Sequence, residues 1–106
     1  MSSPKNELFE RDLQESAAFF KALSHPARLA IIQFLAQTKV CMTGDISDKL
    51  PLSRTTVNQH LAELKKVSLI KGEIEGVKVN YCLNQEKIEE VQQRFDLLFN
   101  HLKHCC

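Results

Sequence analysis

The stretch from Thr43 to Val67, TGDISDKLPLSRTTVNQHLAELKKV, constrains this chain more than any other, because it reads as two short helices joined by a tight turn. Thr43 can cap a first helix over about 43–49, Asp45 complements the positive end of its dipole, and Ile46 with Leu50 faces inward. Pro51 ends that helix, since its ring removes a backbone donor and crowds the preceding turn. Ser53 opens a second helix over about 53–67, in which Val57, Leu61 and Leu64 make an i, i+4, i+7 inner stripe. Arg54, Thr55, Asn58 and Gln59 fall outside the stripe, and the unit reads as a helix-turn-helix.

The flanking segments supply a frame for it. Residues 5–23 read as an amphipathic helix with Phe9, Leu13, Phe20 and Leu23 among its apolar positions. After a break at SHP, Pro26 suits the first position of a helix, and ARLAIIQFLAQ is apolar almost all round, which marks a central buried helix. LIKGEIE and VKVNYCL alternate and meet near Gly76, giving a two-stranded hairpin, or wing, over about 69–83. Asn84 can cap a last helix over about 85–106, where Ile88, Val91, Phe95, Leu98 and Leu102 follow a 3, 4, 3, 4 spacing. That is the seam of a helix packed lengthwise on another. The expected fold is mainly α with a small β-hairpin, about five helices plus the wing, in a single domain over 1–106.

A chain of 106 residues forms one small core and gains from oligomerisation. Residues 49–81 carry six basic side chains (Lys49, Arg54, Lys65, Lys66, Lys71, Lys78) against three acidic ones, net +3, while the remainder is net −2. A basic third on a near-neutral chain points to nucleic acid. No stretch is apolar enough for a membrane span, and the polar start is unlike a signal peptide, so a cytoplasmic location is expected. In that reducing compartment the four cysteines favour free thiols, metal ligands or redox switches over structural disulfides. No Cys-x-x-Cys, His-Glu-x-x-His or Gly-rich phosphate loop occurs, which argues against an enzyme.

The outer face of the second helix carries the chemistry of base reading. Asn58 and Gln59 suit adenine edges, Arg54 suits guanine or phosphate, and Thr55 and Thr56 offer hydroxyls and methyls. Ser53 and His60 complete the candidate contacts on this helix, and Lys71 and Lys78 on the wing would lie against the DNA backbone or minor groove. A dimerising interaction protein would explain the seam but leave this face without a role.

KALSHPARLAIIQFL followed by LPLSRTTVNQHLAELKKVSLIKGEIEGVKVNYCLN resembles the ArsR/SmtB family of winged helix-turn-helix repressors, over about residues 16–84. The resemblance implies a homodimer through the first and last helices. It further implies that the dimer binds double-stranded operator DNA with inverted half-sites and releases it when an effector binds. Family members usually carry glycine where this chain has Ser68, which would cost Ser68 about 1 kcal/mol if the backbone there is left-handed.

Cys41 in KVCMTGDI aligns with the first cysteine of the ELCVCDL-like motif of arsenite-sensing relatives, and Thr43 replaces the second. Soft As(III) or Sb(III) needs two or three thiolates. Cys105 and Cys106 extend the last-helix seam from Leu102 by three and four residues, so Cys41, Cys105 and Cys106 form the candidate three-thiolate site. Cys82, in the strand beside Tyr81, reads as a small buried hydrophobe. His101 and His104, spaced i, i+3, offer an alternative site for zinc, cadmium or copper, although with Asp96 they do not reproduce the Asp-x-His and His-x-x-Glu pattern of zinc-sensing relatives. Oxidation or persulfide coupling of two cysteines is a further alternative.

Overall fold

The structure, a computed structural model, describes residues 8–38, 42–43, 46–75 and 78–104. Its elements are α1 (Arg11–Leu23), α2 (Pro26–Thr38), β1 (Met42–Thr43), a 3-10 turn (Ile46–Lys49), α3 (Arg54–Lys66), β2 (Ile70–Glu75), β3 (Lys78–Leu83) and α4 (Gln85–Lys103). Four α-helices and an antiparallel hairpin, registered from Ile70↔Leu83 to Glu75↔Lys78, form a winged helix-turn-helix.

Three expectations shift. The first helix starts at Arg11 rather than near residue 5; Glu10 is extended, at φ −58° and ψ 147°, and its side chain caps nothing. The helix expected from Thr43 is a 3-10 turn that begins at Ile46. Thr43 itself lies in β1, opposite Asn80, where strand pairing takes the backbone groups that a helix start would leave unsatisfied. The sheet therefore has three strands in the order β1-β3-β2.

The helix-turn-helix closes as its residue types require. Ser53 Oγ accepts the Thr56 N–H at 3.2 Å, capping α3. At the other end, Leu69 N–H donates to Leu64 O at 3.1 Å and Ser68 N–H to Lys65 O at 3.0 Å. That pair is a Schellman closure, and its accompanying apolar contact is supplied by Leu64 and Leu69, both fully buried. Such a closure requires a left-handed residue, and Ser68 has φ 63°. Ser68→Gly is therefore expected to stabilise the fold by about 1 kcal/mol, raising Tm by several degrees. An unchanged or lowered Tm in thermal unfolding would show that Ser68 bears no such cost.

Leu64, Leu69, Ile31, Ile46, Val57 and Ile70 form the heart of the core, to which α1 adds Phe19 and α4 adds Val91. Arg94, only 15% exposed, fastens α4 to α1. It donates to Asp12 Oδ1 at 3.0 Å, Ser16 Oγ at 2.8 Å and Glu15 Oε2 at 2.9 Å, and lies over the Phe19 ring. The seam of α4 divides below this clamp. Val91 is buried and Ile88 and Phe95 pack on the core, but Leu98 and Leu102 are 41% and 54% exposed. With Leu13 and Leu97 they flank an open groove of about 610 Å³ between α1 and α4 or continue its apolar face.

Candidate nucleic-acid interface

Helix α3 sorts its side chains by the helical period. Val57, His60, Leu61 and Leu64 are buried, whereas Thr55, Asn58, Gln59 and Ala62 are exposed at i, i+3, i+4, i+7. The amides of Asn58 and Gln59 thus share one outward stripe with the Thr55 hydroxyl. Arg54 is exposed at the start of the helix and Lys65 near its end. Lys71 is exposed on β2. A long polar face of this kind, with cations at its edges, has the donors and acceptors to meet base edges and phosphates in a major groove.

Three of the expected contact residues hold other positions. Ser53 is exposed, but its hydroxyl donates to Thr56 Oγ1 at 2.9 Å as well as capping the helix. Thr56 is half-buried and accepts that bond. His60 is turned inward, at 9% exposure, which corrects its assignment to the outer face. Its spacing from Val57 and Leu64, three residues after one and four before the other, carries the reason. The side chain of Lys78 lies outside the described residues.

His60 has specific partners. Arg28 Nε donates to His60 Nδ1 at 3.1 Å, and the His25 ring lies 4.4 Å away, centroid to centroid. Burial foremost, then His25 and Arg28, holds the His60 imidazole below its ordinary pKa. Glu63, on the same helix, accepts from Lys66 Nζ at 3.2 Å, and that bond lowers its carboxyl pKa. Ala62 belongs to the outward stripe although sequence reasoning passed over it. The i+3 step from Gln59 was the available signal, and its methyl suits a thymine.

The proposed effector ligands fare differently. Cys41, Cys105 and Cys106 lie outside the described residues. Cys82 is half-buried and disulfide-bonded, which corrects its reading as a small buried hydrophobe. The short strand β1 was not foreseen, and it brings a second segment of chain alongside β3, where Cys82 sits. His101 and His104 are exposed at the end of α4, beside Leu97 and Asn100. No group of three or more His, Cys, Asp or Glu suited to a metal ion occurs among the described residues, and none of their helices is long and apolar enough to cross a membrane.

A helix-turn-helix domain model matches residues 23–73. An HTH-type transcriptional regulator of Methanocaldococcus jannaschii is 31% identical over 85 residues, spanning 80% of this chain and 96% of the relative. An arsenical resistance operon repressor of Staphylococcus xylosus is 28% identical over 80% of this chain and 81% of its own length. An ArsR-like transcriptional regulator from Rhodococcus shares the fold, with a TM-score of 0.73 at 21% identity over 86% of this chain and 85% of that one.

Proposed function

From the premise that this chain belongs to the helix-turn-helix transcriptional regulators, we propose that it is a homodimeric repressor of the ArsR family, released from its operator by a thiol-reactive effector. The observation that carries the DNA half is the outward stripe of Thr55, Asn58, Gln59 and Ala62 on a helix whose opposite face is anchored in the core. Arg54, with Lys71 and Lys78 of the wing, would hold phosphates and set the register on the duplex. The uncovered groove between α1 and α4 supports the dimer, because a second copy could bury Leu13, Leu97, Leu98 and Leu102, which one copy leaves open. Two recognition helices related by a twofold axis would then require inverted half-sites.

The effector reading is trivalent arsenic or antimony held by Cys41, Cys105 and Cys106. The arsenical resistance repressor among the relatives supports it, as does thiolate chemistry, in which three thiols displace three waters from arsenous acid. His101 and His104 supply two imidazoles for zinc, cadmium or copper, one short of the three protein ligands usual even for an open zinc site.

The disulfide of Cys82 supports a second reading, in which oxidation is the signal. Two thiols would then lose two electrons and two protons to a peroxide or polysulfide.

A duplex selected by this chain from random-sequence DNA tests both readings. Its fluorescence anisotropy is followed with reduced protein during separate titrations with As(III), Sb(III), Zn(II), Cd(II) and a persulfide donor. Arsenite is expected to release the duplex, and Cys105→Ser/Cys106→Ser to raise the arsenite concentration required by at least about tenfold. Release at an unchanged concentration would exclude the terminal pair as ligands. Release by oxidants alone, abolished in Cys82→Ser, would put the second reading in place of the first.

A further inference from the structure

We infer that His60 is a positioning residue for the recognition helix, acting through Arg28, and that the DNA-competent protein carries His60 neutral, so that duplex binding competes with proton uptake at this ring. The inference rests on the reading that the outward stripe of α3 binds duplex DNA.

The geometry converges on Arg28. Its Nε donates to His60 Nδ1 at 3.1 Å, and its Nη1 donates to Ala22 O at 3.3 Å and Lys21 O at 3.4 Å, carbonyls in the last turn of α1. One side chain from α2 therefore joins the end of α1 to the middle of α3. His25 closes the cluster: its Nδ1 accepts the Ala27 N–H at 3.0 Å at the start of α2, and its ring is tilted by 50° against that of His60. His60 directly follows Asn58 and Gln59, so its anchorage fixes how far their amides project.

Because Nδ1 of His60 accepts the Arg28 bond, the neutral ring carries its proton on Nε2. A second proton can enter only at Nδ1. It would convert the acceptor into a donor, break the bond to Arg28, and leave an imidazolium facing a guanidinium in a site that is 9% exposed. The groups around the ring do not offset that charge. Lys21 of α1, Arg28 of α2 and His25 between the two helices are cations or bases, and the nearby acid, Glu63 of α3, is engaged with Lys66. A base whose folded pKa is depressed favours the fold fully above its ordinary value, near 6.5, and loses that contribution as pH falls toward the lowered one. Acid therefore undoes the Arg28 bridge and frees α3 on the side next to its reading stripe.

The selected duplex provides the test, with affinity measured by anisotropy at fixed salt from about pH 8 to pH 5. Affinity is expected to be flat above about pH 6.5 and to fall in acid, approaching about tenfold per pH unit for each His60 that must shed a proton. His60→Gln retains an acceptor for Arg28 but cannot titrate; it should bind like the native chain near pH 8 and lose the acid-dependent fall. An NMR titration of the His60 ring in the unsubstituted protein decides independently of whether that variant folds. By reciprocity, bound duplex must lower the His60 midpoint. An acid-dependent fall that persists in a folded His60→Gln chain, or a midpoint that is unchanged or raised by the duplex, overturns the inference. Failure to bind any duplex at any pH would instead overturn the DNA reading on which it rests.

Discussion

Leu64→Ala is expected to lower the stability of the folded chain by about 2–5 kcal/mol. Leu64 is completely buried and shares its core cluster with Ile31, Val57, Leu61 and Leu69. It is also the residue whose carbonyl receives the Leu69 N–H where α3 ends. Truncation would leave a cavity at the point where the recognition helix, the central helix and the wing meet, and three elements pinned by their own hydrogen bonds cannot readily collapse into it. A domain of this size has only about 5–15 kcal/mol to lose. In urea unfolding the midpoint should fall sharply with an unchanged m-value. Leu97→Ala, at a position 73% exposed, should leave the stability of a single copy within about 0.5 kcal/mol of native. A loss below about 1 kcal/mol for Leu64→Ala would mean that this junction is not the keystone described here.

The second large effect falls on recognition rather than stability. Asn58→Ala and Gln59→Ala remove exposed amides that make no core contact, so unfolding should be almost unaffected. Each is expected to cost about 1–3 kcal/mol of discrimination between the selected duplex and one with the contacted base pair changed. Residual binding to any duplex should survive with its salt dependence nearly intact, because phosphate contacts generate that slope. Lys71→Ala should do the reverse, weakening all duplexes alike and flattening the slope. Competition anisotropy with single-base variants separates the two outcomes. Full discrimination retained in the Asn58→Ala/Gln59→Ala double variant would remove α3 from its assigned role.

Much of this could be read before the fold was known, for identifiable reasons. Pro51 and Ser53 fix the start of α3 through local chemistry, and the Val57, Leu61, Leu64 spacing fixes its inner face. The cost at Ser68 was posed only as a condition, from the glycine that ArsR/SmtB relatives usually carry at that turn, and its φ of 63° meets the condition. What escaped depends on contacts distant in sequence. A two-residue strand such as β1 has no periodicity of its own and exists because β3 pairs with it; the bonding of Cys82 was hidden for the same reason. His60 obeys the buried spacing, but its polarity pointed outward, and only Arg28, 32 residues away, explains why an imidazole can lie inside. The seam of α4 was legible as a repeat, yet its division after Phe95 into a half on the core and an open half required the position of α1.

The proposed function depends most directly on sequence-selective duplex binding by two copies of the chain. The decisive measurement compares the reduced, unsubstituted protein on the selected duplex and on a shuffled duplex of the same composition, titrated at several salt concentrations, with the stoichiometry taken from the saturation point. Two copies per duplex, a steep loss of affinity with salt on both sequences, and a preference of at least about a thousandfold for the selected one are the predicted result. Equal affinity for the two duplexes, or saturation by one copy without inverted half-sites, would contradict it.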